Sequence, residues 1–180
     1  VTVCDKANIL RSYAFFRNIC NEVAVEYADV EIENKIIRIY NAHLQSLRLS
    51  RGDHKFIENP EQKEVVEKSK SLFRRMGKAF RIRAEQAKEI KEHMNTSKLP
   101  TILCGDFNDT PQSYTYHLLN EKLDDSFKTK GTGFGTTYAG SIPALRIDYI
   151  LTHEKIRVQS HEILKENYSD HFPVICKIAF

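Results

Sequence analysis

The sequence predicts mixed α/β layers, and three observations carry that expectation. Short β-branched and apolar runs recur along the chain and end in turn residues. A polar, periodic stretch at 61–94 between two such runs reads as helix. Two further runs are separated only by Glu33, Asn34 and Lys35, the spacing of a hairpin. Long helix alternating with strands, plus a hairpin, gives layered α/β or α+β architecture. A length of 180 residues fits one domain, enough to bury roughly 70% of the unfolded chain's surface. No internal repeat, low-complexity tract or linker divides the chain.

Composition excludes several classes. At 41% hydrophobic and 28% charged the chain is neither disordered nor fibrous, and a net charge of +3 does not select a partner by global attraction. No apolar run approaches the ~18–20 residues of a membrane span, and the first residues, VTVCDKANILRSYAFF, lack the continuous apolar segment of a signal peptide. The chain as given is expected to be soluble. Cys4, Cys20, Cys104 and Cys176 show neither CxxC nor metal-ligand spacing. Cys104 and Cys176 lie in apolar strand runs and read as small buried hydrophobes, which leans towards a reducing, cytoplasmic compartment and leaves a membrane-tethered parent open. The chain begins at Val1, and the expectation is a piece of something longer.

Taken in order, residues 1–21 show no clean period and are expected to form an irregular lead-in, with 22–180 as one domain portion. From Glu22 onwards Val23, Val25 and Tyr27 alternate with Ala24, Glu26 and Ala28, a strand running to about Ile32. Residues 36–44 are the returning strand. Residues 47–60 are polar, contain Gly52 and end in Pro60, so they read as a surface loop. The helix at 61–94 is expected in two pieces that break or bend near Gly77. In the second piece Phe80, Ala84, Ala87, Lys91 and Met94 share a face. The apolar run after Pro100 stops at Gly105, and alternation sends Asp106 and Asn108 to one side and Phe107 to the core. Thr110 and Pro111 read as N-cap and first position of a helix through 114–120. The glycine-rich stretch 121–141 reads as a substrate-facing loop, with a connector as the alternative. Residues 146–152, 155–164 and 174–179 are strands, the first carrying Asp148 where an apolar residue is expected.

Function gathers at the strand ends. They offer Asn41 and His43, then Asp106 and Asn108, then Asp148, then Asp170 and His171. Each has a structural explanation taken singly: a hydrogen-bonded strand histidine, a buried carboxylate, a capped turn before Pro173. Acid, base and amide groups at the ends of four strands point together to a site.

The segments NAHLQS, GDFND, RIDYIL and SDHFPV, in this order, resemble the later motifs of the endonuclease/exonuclease/phosphatase family, the group with the DNase I-like fold. The resemblance runs from about Glu22 to the end. It implies a four-layered α/β/β/α sandwich, of which this chain would be mostly the second half, and Mg²⁺-dependent hydrolysis of a phosphoester, with Mn²⁺ as the alternative ion. By resemblance Asp106 orients or deprotonates the attacking water, and Asn108 donates its amide to a phosphate oxygen. His171 lies beside the scissile phosphate with Asp148 as its carboxylate partner. Asn41 and His43 bind the phosphate, with His43 a candidate general acid; Ser46 completes a His-Leu-x-Ser pattern. Asp170 lies near the metal. The implied substrate is nucleic acid in the phosphodiesterase or nuclease reading, and a phospholipid or inositol phosphate in the alternative one.

The chain departs from the family at its front. A strand ending in Asn and a later Gln-Glu pair, whose Glu is the family's principal Mg²⁺ ligand, have no counterpart before Asn41. Asp170 alone is poor provision for a cation that wants near-octahedral oxygens. The third alternative is therefore a non-catalytic phosphate-binding fragment. The missing half, or self-association of the fragment, is the expected partner.

One segment stands outside these motifs. Between Lys68 and Arg83 there are seven Lys or Arg and no Asp or Glu. This reads as a polyanion-attracting surface, nucleic acid or anionic lipid, or as a solvated helix face offset by the acidic segment at 58–67.

Overall fold

The computed structural model describes residues 7–17, 24–50, 52–53, 56, 65–140, 142, 144–166 and 168–180. Six strands form one sheet in the order β1-β2-β3-β4-β6-β5: β1 Ala7–Arg17, β2 Ala24–Ile32, β3 Lys35–His43, β4 Thr101–Asp106, β5 Asp124–Asp125 and β6 Asp148–Thr152. Strands β7 (Arg157–Ile163) and β8 (Val174–Ala179) form a separate antiparallel pair. The helices are α1 Val65–Thr96, α2 Tyr114–Leu119 and α3 Ser126–Lys130.

The expected hairpin is β2–β3, antiparallel from Ala24↔His43 to Ile32↔Lys35. Glu33 and Asn34 both take positive φ, 50° and 63°, the two-residue turn whose twist matches the flanking strands. From β3 the chain crosses over through α1 and returns as β4, parallel to β3. Strand β6 then runs antiparallel to β4.

Alternation along these strands sorts side chains onto two faces. One carries Val25, Tyr40, Ala42, Leu44, Leu103, Tyr149 and Leu151, which pack with Ala87 and Ile90 of α1 and Tyr116 and Leu119 of α2. The other carries Val30, Ile37 and Ile102, packed with Ile156, Ile178 and Phe180 at the β7–β8 pair. Helices, the main sheet and the small sheet thus stack as successive layers. Among the described residues no helix is long and apolar enough to cross a membrane.

Several expectations change. The lead-in is not irregular throughout: Ala7–Arg17 is β1, paired with β2. Its register shifts between Ile9 and Arg11 and again between Ala14 and Phe16, and each extra residue breaks the period of two that would have marked a strand. Residues 1–6 and 18–23 lie outside the described residues. Helix α1 does not break at Gly77, because one helical Gly costs only about 1 kcal/mol against a helix of 32 residues. Residues 61–64 of that expected helix lie outside the described residues. Its buried stripe is Ala79, Arg83, Gln86, Ala87 and Ile90, while Phe80 is 45% exposed. The N-cap of α2 is Ser113, which accepts from the Tyr116 N–H, and Thr110 instead closes a turn through the Ser113 N–H. The 121–141 stretch holds β5, α3 and a bridge from Tyr138 to His171. Cys104 is buried as expected, whereas Cys176 is only half-buried.

Gly105 is required where the motif loop leaves β4. Its φ is 135°, and a Cβ there would overlap the Ala42 backbone carbonyl of the neighbouring strand. Gly105→Ala is expected to destabilise the chain by about 3 kcal/mol, read as a lowered midpoint in denaturant unfolding.

Candidate active site

The register of three adjacent strands builds the centre of the site. His43 pairs with Asp106 across β3–β4, and Asp106 pairs with Asp148 across β4–β6. Directly opposed residues point to the same face, so the three side chains form a row at one end of the sheet. Below them on that face lie the apolar Ile39 and Ile150, partly buried against the small sheet. His171 enters from the segment before β8, and its Nδ1 lies 2.9 Å from Asp148 Oδ2. Its Nε2 faces Asp106 Oδ2 at 3.9 Å, and His43 Nε2 approaches the same oxygen at 3.7 Å.

Asp106 is held by its own loop. The Asn108 N–H donates to Oδ1 at 2.7 Å, and the Asn108 side-chain amide donates to Oδ2 at 2.9 Å. The same amide also donates to the Leu44 carbonyl at 3.0 Å. Both amide hydrogens of Asn108 are therefore spent within the protein. In this arrangement Asn108 fixes Asp106, and the donation to a phosphate oxygen implied by the motif has no hydrogen left to make it. Asn108 itself sits at φ 51°, a conformation that Asn tolerates well and that folds its amide back onto Asp106.

Electrostatics follow from this crowding. Burial, and then the neighbouring Asp148 carboxylate, push the Asp106 carboxyl up to about 6. The hydrogen bond that the imidazole Nδ1–H donates to Asp148 raises His171 to about 8, against the opposing effect of burial. At neutral pH a charged imidazole thus lies beside two carboxylates. In metal-free buffer His171 is expected to titrate near 8 by NMR, and Asp148→Asn should return it towards the ordinary value of about 6.5. An unshifted midpoint in both proteins would remove Asp148 as its partner.

The other expected residues are not part of this cluster. Asn41 lies two residues before His43 on the same face of β3, exposed, opposite Glu26 and Cys104. Ser46 accepts the Arg48 N–H and shapes its own loop. Asp170 is exposed, and its carbonyl accepts the Ala139 N–H. Among the described residues, Asp106, Asp148 and His171 are the group with ligand atoms within 4.8 Å of one another. They do not complete a Mg²⁺ site: one Asp148 oxygen serves His171, both Asp106 oxygens accept from Asn108, and an imidazole nitrogen is a poor ligand for so hard a cation.

Residues that the motifs did not assign hold the cluster in place. Thr137, fully buried, accepts the Ile147 and Asp148 N–H groups on its hydroxyl at 3.0 and 3.1 Å. Its carbonyl accepts the Phe172 N–H, so one residue ties the Asp148 strand to the His171 segment. The Tyr138 ring stands edge-on to His171 at 5.5 Å. Three more motif residues are scaffold: Asp109 pairs with buried Arg83, Arg146 pairs with buried Asp125, and the Tyr149 hydroxyl donates to the Asp109 and Arg146 carbonyls. Nothing in a single sequence marks Thr137, because its partners are set by the return of a glycine-rich loop.

Comparisons with known proteins bear on the fold and the family. No curated protein matches the chain. Among solved structures, a mannosyl-6-phosphatase of Bacteroides thetaiotaomicron VPI-5482 is similar in fold, with a TM-score of 0.69 and 19% identity over 98% of this chain and 68% of that one. The human Nocturnin catalytic domain, solved with sulfate, has a TM-score of 0.62 and 17% identity over 98% of this chain and 61% of its own. D. rerio TDP2 in complex with a single-strand DNA product has a TM-score of 0.61 and 15% identity, covering 97% and 69%. The chain thus spans about two thirds of the length of these structures. A family model matches residues 71–171, which include the GDFND and RIDYIL segments and reach His171. With more than half its length matched by that model, the chain belongs to the endonuclease/exonuclease/phosphatase family.

Proposed function

We propose that this chain carries the phosphate-handling half of a metal-dependent phosphoester hydrolase of the phosphodiesterase or nuclease type. The observation that carries the reading is the row His43, Asp106, Asp148 with His171 closing on it, 2.9 Å from Asp148. Asp106, with its carboxyl near 6, is suited to accept a proton from water at neutral pH. His171, charged and part-exposed, is suited to stabilise charge that develops on a phosphate oxygen. Asp148 holds the imidazole by Nδ1 and so fixes which nitrogen faces the substrate. Asn108 orients Asp106, and His43, more than half exposed, is placed to meet a phosphate or its leaving group.

Asn41, one step down the same strand face, is the proposed outer contact to substrate; Ser46 is the weakest of the set because its hydroxyl already serves its loop. The ion proposed is Mg²⁺, with Mn²⁺ as the alternative, and Asp170 is its proposed neighbour. The principal ligand would then be a Glu outside these residues. That shortfall also supports a second reading, in which the 180-residue chain binds phosphate but turns nothing over unaided. The domain portion is proposed to start at Ala7, since β1 shares the main sheet.

The test is turnover by the complete protein with Mg²⁺ and with chelator, against a DNA oligonucleotide, abasic DNA, sphingomyelin, an inositol polyphosphate and bis(4-nitrophenyl) phosphate. Chelator-sensitive cleavage of at least one supports the hydrolase reading. Phosphate binding without cleavage of any by the complete protein would contradict the hydrolase reading, and the same result for the 180-residue chain beside an active complete protein would support the second one.

A further inference from the structure

Helix α1 is longer than the sheet it packs on. Its C-terminal half is anchored: Ala87 and Ile90 lie in the core, and His93 Nδ1 is 2.7 Å from the Tyr40 hydroxyl. Arg83 marks the level of the strand ends, since its guanidinium binds Asp109 beyond β4 and the Gln45 carbonyl beyond β3. Because α1 runs back from the ends of β3 to the start of β4, the turns before Arg83 extend past the sheet on the end where the His43, Asp106 and Asp148 row lies. Phe73 is about 15 Å further out than Arg83 at 1.5 Å per residue. The pair of Arg75 with Asp53 ties this overhang to the segment after β3, and Ala79 is buried.

The outer side of the overhang combines two features. Phe73 and Phe80 are seven residues apart, close to two turns, and therefore share one edge; they are 70% and 45% exposed. Phe80 carries the Arg83 guanidinium on its ring at 4.9 Å and shows the rest of itself to solvent. Arg74, Lys78 and Arg81 are exposed along the adjoining strip, and none makes an ion pair with a described residue. Lys68 and Lys70 add to the charge of the same helix, which has no carboxylate from Lys68 to Arg83.

We propose that this face of α1 docks on a lipid surface rich in anionic head groups, with Phe73 and Phe80 inserted at the boundary and Arg74, Lys78 and Arg81 on the head groups. An apolar edge beside a basic edge on a convex helix is the arrangement that a planar, negatively charged interface satisfies on both sides. A nucleic-acid backbone would satisfy only the basic strip. Two rings set two turns apart on a convex surface do not form the continuous platform on which successive bases stack. The proposal is independent of what the catalytic row does, because it concerns where the chain sits.

Sedimentation of the complete protein with phosphatidylcholine vesicles, with and without phosphatidylserine, against a vesicle-free control, tests it. Binding to the anionic vesicles should exceed that to neutral ones by at least 10-fold and fall in 0.5 M salt. Replacing Arg74, Lys78 and Arg81 by Gln should weaken it by about 100-fold, from ~1 kcal/mol per basic side chain near such a surface. Phe73→Ser with Phe80→Ser should weaken it by about 10-fold, and circular dichroism should show both variants folded. Equal binding to neutral vesicles, no binding to either, or binding that survives both variant sets overturns the proposal. So does a fluorescent oligonucleotide that binds through the same basic residues when vesicles do not, which would assign the face to nucleic acid.

Discussion

Asp106→Asn is expected to lower phosphoester turnover by about 10²–10⁴-fold while leaving the protein as stable or more stable above pH 6. The two effects have one origin. Asp106 and Asp148 are register partners on one face, and burial with that neighbour raises the Asp106 carboxyl to about 6. A carboxyl raised in the fold binds its proton more tightly there than in the unfolded chain. Folding stability is therefore lost as pH rises from about 4 through 6, and the ionised form, the one proposed to act as base, is the destabilised one. Asparagine removes the charge and with it the penalty. It keeps one carbonyl oxygen and so retains one of the two hydrogen bonds from Asn108, and the net gain should be about 1 kcal/mol. Thermal melts at pH 5 and pH 8 alongside the assay check this. A variant that unfolds at pH 8 would make Asp106 structural, and one that keeps full turnover would remove it from the chemistry.

His171→Ala should cost a comparable 10²–10⁴-fold in turnover with a pH-dependent effect on stability. The imidazole is 29% exposed and contributes little apolar burial, so its weight lies in its charge beside Asp148 and Asp106. Its raised value, about 8, means that it stabilises the fold fully below about 6.5 and ceases to do so as pH rises through 8. The alanine variant should accordingly be less stable than the parent at pH 6 and nearly equal at pH 9. Loss of the positive neighbour should also move the acidic limb of the rate profile upward, because His171 is one of the groups that lowers Asp106. A variant equally destabilised at both pH values would indicate a packing role.

These expectations rest on residues whose identities were legible in the sequence and whose grouping was not. GDFND and RIDYIL mark Asp106 and Asp148 as polar ends of apolar strands, but only the antiparallel register of β4 and β6 places them side by side. Local patterns succeeded where the partner is near in sequence, as in the β2–β3 hairpin with its two positive-φ residues. They failed where the partner is distant. Arg83 closes a segment that reads as a charged outer face, because nothing local says that Asp109 and the Gln45 carbonyl wait for it on the far side of a crossover. Strand β1 was hidden for a different reason, since its two bulges erase the alternation by which a strand is known. Thr137 shows the same limit at the site itself: a threonine in a glycine-rich loop becomes the tie between Asp148 and His171 only after that loop has closed.

The central claim is that water attacks phosphorus at the Asp106 and His171 pair. The most direct measurement is hydrolysis of a phosphodiester by the complete protein in ¹⁸O-labelled water, with mass analysis of both products. The account predicts one label in the phosphate product per cleavage and none in the alcohol, with label and turnover lost together in Asp106→Asn. Label in the alcohol, or undiminished labelled phosphate from the Asp106→Asn protein, would contradict it.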